Sequence, residues 1–68
     1  MKDYTIVFNS VKDRKWWWTF HKNMNPEMFK LKKQRLNRIH CQMTDAMYQV
    51  ISDPNKMILY GIKRIDRR

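Results

Sequence analysis

The chain opens on an alternation. Over residues 3–11, "DYTIVFNSV", Tyr4, Ile6 and Phe8 fall on one side and Thr5, Val7 and Asn9 on the other. A period of two in β-branched and aromatic residues predicts a strand. "VKDRK" reads as a polar turn. A second alternation over about 15–22 then sets Trp16, Trp18 and Phe20 on one face and Trp17, Thr19 and His21 on the other. The short connection between the two predicts an antiparallel hairpin.

From Asn25 the period changes. Asn25 is placed to cap a helix, Pro26 suits its first position, and Glu27 complements the positive end of the dipole. Phe29, Leu36, Met43 and Val50 recur at heptad spacing with Ile39, Ala46 and Met47 between them, which predicts a helix over about 26–51. Such a helix spans roughly 37 Å, long for so small a domain, so a bend is expected near Lys32–Lys33. Pro54 disfavours helical backbone at Asp53 and ends the helix there. "KMILYGIKRI", about 56–65, reads as a third strand with Ile58, Tyr60 and Ile62 on one side and a bulge at Gly61. Residues 66–68 read as a frayed tail.

The fold expected from these elements is a single small α+β domain of order β-β-α-β. Its three-stranded sheet carries one long helix packed on one face. The opposite face, with Thr5, Val7, Trp17, His21, Met57 and Leu59, is then left open. An open apolar face calls for a cover: nucleic-acid bases, another protein, or a second copy in a homodimer.

Composition supports one folded domain near the lower size limit, with 68 residues, 43% of them hydrophobic and 13% aromatic. The lone Cys41 excludes an intramolecular disulfide. No run approaches the ~18 apolar residues of a membrane span, and the N-terminus has no signal-peptide pattern. A cytoplasmic protein that does not enter the membrane is expected.

Charge changes the picture most. Fifteen Lys and Arg against six Asp and Glu give a net charge of +9, which favours polyanionic or acidic partners. The basic residues cluster in three places: Lys30, Lys32, Lys33, Arg35 and Arg38 in "KLKKQRLNR"; Lys12, Arg14 and Lys15 at the predicted hairpin tip; and Lys63, Arg64, Arg67 and Arg68 near the C-terminus. In a helix the first cluster would set like charges at i,i+3 and crowd cations toward the positive end of the dipole. A run that breaks two local preferences points to contacts with phosphates or carboxylates.

Basic residues interleaved with aromatics suit single-stranded nucleic acid, where phosphates meet Lys and Arg and bases stack on indole or imidazole. The expected contacts are Trp17, His21, Lys30, Lys33, Arg35 and Arg38, with Lys12, Arg14, Lys15, Lys63 and Arg64 around them. Catalysis has less to build on. Paired carboxylates and a Gly-rich loop are absent, and His40 and Cys41, about 100° apart on a helix, would not form an activated pair. Two histidines and one cysteine on separate elements make a poor zinc set.

The reading that results is a small non-enzymatic protein that binds RNA or single-stranded DNA rather than a specific duplex, with no cofactor and no metal. A basic ribonuclease built on His21 is the catalytic alternative. In length and predicted element order the chain also resembles the small early proteins of large bacteriophages, including antitoxin-like inhibitors that occupy a host nuclease. That resemblance implies a rival class, a modulator that binds an acidic host protein such as a nuclease or toxin.

Overall fold

The computed structural model describes residues 1–68. Its elements are β1 (Lys2–Phe8), α1 (Val11–His21), β2 (Phe29–Arg35), β3 (Arg38–Met43), α2 (Asp45–Ile51), α3 (Pro54–Tyr60) and β4 (Ile62–Arg67). The strands form one four-stranded sheet of order β2-β3-β1-β4 in which every neighbouring pair is antiparallel. Helix α1 carries the chain from β1 over to the edge strand β2. The α2–α3 pair carries it from β3 over to the other edge, β4. This is a split β-α-β arrangement, with all three helices on one face.

The expected three-stranded sheet under one long helix is therefore corrected. Only the first strand stands where the alternation placed it. The segment over 15–22 is helical, and its start is capped by the Ser10 side chain. Ser10 has extended backbone (φ −152°, ψ 165°) and its Oγ accepts from the Asp13 N–H at 3.1 Å. The same hydroxyl donates to Asp13 Oδ2 at 2.9 Å. The first of these bonds satisfies a backbone donor that a helix start leaves orphaned. On a helix three consecutive tryptophans fan out by about 100° each, so one faces inward. That one is Trp17, fully buried, while Trp16 is 48% exposed.

The span expected as a helix over 26–51 holds a β-hairpin and one short helix. Phe29 and Leu31 on β2, and Ile39, Cys41 and Met43 on β3, alternate with polar residues as strands do. Their heptad spacing arises because the hairpin turn falls between the two runs. Leu36 sits in that turn, with φ 53° and its side chain in solvent. The turn is tied back to β1: the Phe8 N–H donates to Asn37 O at 2.8 Å, and Asn37 Nδ2 donates to Phe8 O at 2.7 Å. Asn25 forms a local turn instead of a helix cap, its Oδ1 accepting from the Glu27 N–H at 2.9 Å. The helix that does form, α2, is capped by Thr44, whose Oγ1 accepts from the Met47 N–H.

The expected third strand over 56–65 divides at Gly61. Asp53 caps α3 through its Oδ1 and the Asn55 N–H at 2.8 Å, and Pro54 occupies the first turn. Asp53 is non-helical (φ −57°, ψ 127°) and the preceding helix α2 stops at Ile51, as expected from Pro54, which also starts α3. Gly61 closes α3 in the left-handed region (φ 69°, ψ 31°). A Cβ there would lie 2.6 Å from Asp13 Cγ, so α1 and the end of α3 approach each other at a glycine. β4 then runs to Arg67, and the Arg68 N–H donates to Asp3 O at 2.9 Å, so residues 66–68 are paired rather than frayed.

The core lies between the layers. Tyr4, Ile6 and Phe8 of β1, Ile39, Cys41 and Met43 of β3, Phe29 and Ile62 pack under Trp17, Met47 and Ile51 from the helices. Trp17 is its centre, with ring centroids 5.8 Å from both Phe8 and Phe29. The other face of the sheet carries no helix.

Candidate functional site

The strand register fixes what stands on the uncovered face. Read across β2, β3, β1 and β4, one row is Arg35, Arg38, Val7 and Arg64. The next is Lys33, His40, Thr5 and Asp66, and the third is Lys30, Gln42 and Asp3, with Arg68 bonded beside Asp3. At about 4.8 Å between strands, the arginine row is roughly 14 Å wide. Lys32 is the extra residue of a bulge between Leu31 and Lys33, and its Nζ reaches Asp3 Oδ1 at 3.4 Å. Thr5 and Val7 are only 6% and 3% exposed although no helix covers them. Their cross-strand neighbours on this face are Arg38, His40, Arg64 and Asp66, residues with side chains long enough to shield them.

Charge follows the layers. Ten of the fifteen basic residues but only two of the six acidic ones, Asp3 and Asp66, lie on the four strands and Arg68, a net +8. The helices and loops hold the other five basic and four acidic residues, a net +1. The ion pairs of the structure are Lys2–Asp45, Lys32–Asp3 and Arg64–Asp66. Lys30, Lys33, Arg35 and Arg38 therefore have no carboxylate partner, and Arg35 stands directly opposite Arg38. Like charges in that relation destabilise a sheet. The arrangement costs stability and leaves these cations without a counter-charge within the chain.

His40 sits in the middle of this face. Its Nδ1 accepts from Arg68 Nη1 at 3.1 Å and lies 3.0 Å from Thr5 Oγ1. A guanidinium only donates, so Nδ1 keeps its lone pair and the neutral ring carries its proton on Nε2. Burial against the sheet, then the charges of Arg68, Lys33 and Arg38, hold the imidazole below its ordinary value of 6.5. A groove of about 780 Å³ opens here, lined by Asp3, Lys32, Lys33, His40 and Arg68 among others. A second, of about 360 Å³, continues it along Arg35, Arg38 and the same His40.

Of the expected contact residues, the structure brings Lys30, Lys33, Arg35, Arg38 and Arg64 onto this one face, from strands rather than a helix. Lys63 lies at the irregular start of β4, outside the rows. Lys12, Arg14 and Lys15 belong to α1, in the other layer. Arg14 is occupied there, donating through Nε to Leu36 O and through Nη1 to Gln34 Oε1, which pins α1 to the hairpin. Trp17 and His21 are corrected as stacking residues. Trp17 is fully buried. His21 stacks on it at 4.5 Å, and its Nδ1–H donates to Trp17 O at 2.8 Å.

The exposed aromatics are Trp16 and Phe20, in contact at 4.9 Å on the outer side of α1. Neither belongs to the sheet face. Sheet surfaces that read RNA bases carry aromatics on their central strands. Here those positions hold Asp3, Thr5, Val7, Arg38, His40 and Gln42. Sequence reasoning missed His40, Thr5, Lys32 and Arg68. The signal was present in "RIHCQM", where Arg38, His40 and Gln42 alternate with Ile39, Cys41 and Met43.

Cys41 points into the core. Burial, with the Asp3 carboxylate adding to it, pushes its thiol up to about 12, so it stays protonated at neutral pH. No three His, Cys, Asp or Glu residues gather to hold a metal ion. No helix is long and apolar enough to cross a membrane.

No protein-family model, curated protein or solved structure matches the chain. The resemblance to phage early proteins rested on length and on a β-β-α-β order, and the fold does not have that order.

Proposed function

We propose that the chain binds nucleic acid through the open sheet face, holding the phosphate backbone without a chemical step. The observation that carries this reading is the unpaired row of Arg35 and Arg38, flanked by Lys30, Lys33 and Arg64. Backbone phosphates neutralise such a row and release counterions from the nucleic acid as they do so. With no aromatic on the face, bases have nothing to stack on. The reading is therefore sequence-independent, and single strands and duplexes are both held by their phosphates.

Fluorescence anisotropy of a labelled oligonucleotide against salt tests it. Five phosphate contacts give a slope of log K on log salt of about −4.5 for a duplex and about −3.5 for a single strand. Intrinsic tryptophan emission changes little, because Trp16, Trp17 and Trp18 all belong to α1 on the other side of the sheet. Absence of binding at low salt would sink the proposal.

The same absence of aromatics favours a second reading, an acidic protein as partner, since arginine pairs a carboxylate as well as a phosphate. Affinity capture before and after nuclease treatment separates the two. A partner retained after nuclease supports the protein reading, and one lost with the nucleic acid supports the first. A homodimer through this face would set its seven cations and two carboxylates, a net +5, against their own copy, so the charge opposes it.

A further inference from the structure

His40 has three cations around it on the sheet surface, Lys33, Arg38 and Arg68. Lys33 stands across from it on β2 and Thr5 across from it on β1. Arg38 and Gln42 flank it on β3, and Arg68 reaches its Nδ1 from beyond β4. The carboxylates nearby are already engaged: Asp66 pairs with Arg64 at 3.0 Å and Asp3 with Lys32 at 3.4 Å. Lys33 and Arg68 thus have no carboxylate partner, and the Arg68 guanidinium is held only by the neutral His40 ring. The imidazole is held neutral by its burial, by the cations around it and by the guanidinium that uses its lone pair.

An anion in the groove changes the last two of these conditions. Its oxygens draw the Arg68 guanidinium, whose bidentate fork fits a phosphate better than a ring nitrogen. Nδ1 then loses its donor and becomes free to take a proton. The anion also cancels the field of Lys33, Arg38 and Arg68 that opposes a charged ring. The Thr5 hydroxyl, 3.0 Å away, can turn to accept from a protonated Nδ1. We infer that the groove at His40 is a phosphate subsite, and that filling it draws a proton from solvent onto His40. The inference rests on the proposed nucleic-acid face and names one position within it.

The proton linkage is read by NMR titration of the two histidine rings, with oligothymidylate lacking terminal phosphates as the probe. Its diester phosphates and bases keep their charge between about pH 5 and 8, so any proton taken up belongs to the protein. On binding, the His40 midpoint rises by about one on the pH scale, which means that the protonated form binds about tenfold more tightly than the neutral one. His21, stacked on Trp17 in the other layer, is the internal control. His40→Gln flattens the gain in oligonucleotide affinity as pH falls.

Sulfate, which also keeps its charge over this range, is the second probe. A rise of the His40 midpoint with sulfate, with no oligonucleotide binding, supports the subsite and overturns the nucleic-acid reading. Oligonucleotide binding with both the His40 midpoint and the pH dependence unchanged overturns the subsite and leaves that reading standing. No effect of either probe on His40 also overturns the subsite.

Discussion

At the residue scale, Trp17 and Leu36 are the two positions where substitutions are most informative. Trp17 is wholly buried, and its indole N–H has no hydrogen-bond partner. Removing the ring leaves a large cavity at the centre of the core, which costs about 3–5 kcal/mol. A domain this small has only about that much in total. Trp17→Ala is therefore expected to abolish the cooperative transition in urea. Trp17→Phe keeps an aromatic ring and removes a buried N–H whose desolvation costs about 1–3 kcal/mol, so it loses clearly less. Equal losses in the two variants would show that the phenyl ring recovers none of the packing that the indole provides.

Leu36 is the reverse case. It holds φ 53° in the β2–β3 turn while 67% exposed, so its side chain gains little from packing. The left-handed region costs an L-residue about 1–2 kcal/mol, and glycine escapes that cost at some expense in chain entropy. Leu36→Gly is expected to raise stability by about 0.5–1 kcal/mol in chemical denaturation. A loss instead would place an unseen packing role on the leucine.

At the scale of the element, the β2–β3 hairpin combines two demands. β2 is an edge strand, and its Lys30, Lys32, Lys33 and Arg35 discourage pairing with other chains as well as presenting charge. Arg35 facing Arg38 serves neither folding nor solubility better than a mixed pair would. Arg35→Glu places a carboxylate opposite Arg38, and cross-strand pairs of opposite charge contribute roughly 0.2–1 kcal/mol. The variant is expected to unfold at a higher urea concentration than the parent.

The same hairpin shows why only part of the molecule was legible. β1 was readable because its alternation meets a sheet with one face packed on the core. α1 was hidden because an aromatic run alternates as well as it spirals, and the Ser10 N-cap on the Asp13 N–H was the feature that decided it. The hairpin was hidden because its turn is Leu36–Asn37 rather than Asn-Gly, and because two strands joined by that turn happen to repeat apolar residues every seven positions. The charged residues of "KLKKQRLNR" read as anomalous on a helix because they are not on one. Alternation along two strands, not a helical stripe, gathers them. His40 stayed unread for the same reason.

At the scale of the whole molecule, the separation of charge between the layers has consequences for pH. His40 titrates lower in the folded chain than its ordinary 6.5. As pH falls through about 6.5 the unfolded chain takes up the proton first. Stability is therefore complete above that value and is lost as pH falls toward the folded-state midpoint, where His40 in the native sheet is protonated as well. Thermal unfolding of the parent and of His40→Gln across this window checks the sign. The parent loses stability more steeply than the variant, and parallel curves would remove His40 as the cause.

The central claim is that the unpaired basic rows of the sheet, and not the helix layer, hold the phosphate backbone. It is tested most directly by the salt dependence of oligonucleotide binding in the parent and in Arg35→Glu, measured side by side. The parent should bind tightly at low salt and weaken steeply as salt rises. Arg35→Glu should bind at least tenfold more weakly at low salt, with a shallower slope by about two contacts, while remaining folded. Unchanged affinity and slope in Arg35→Glu would contradict the assignment of the face.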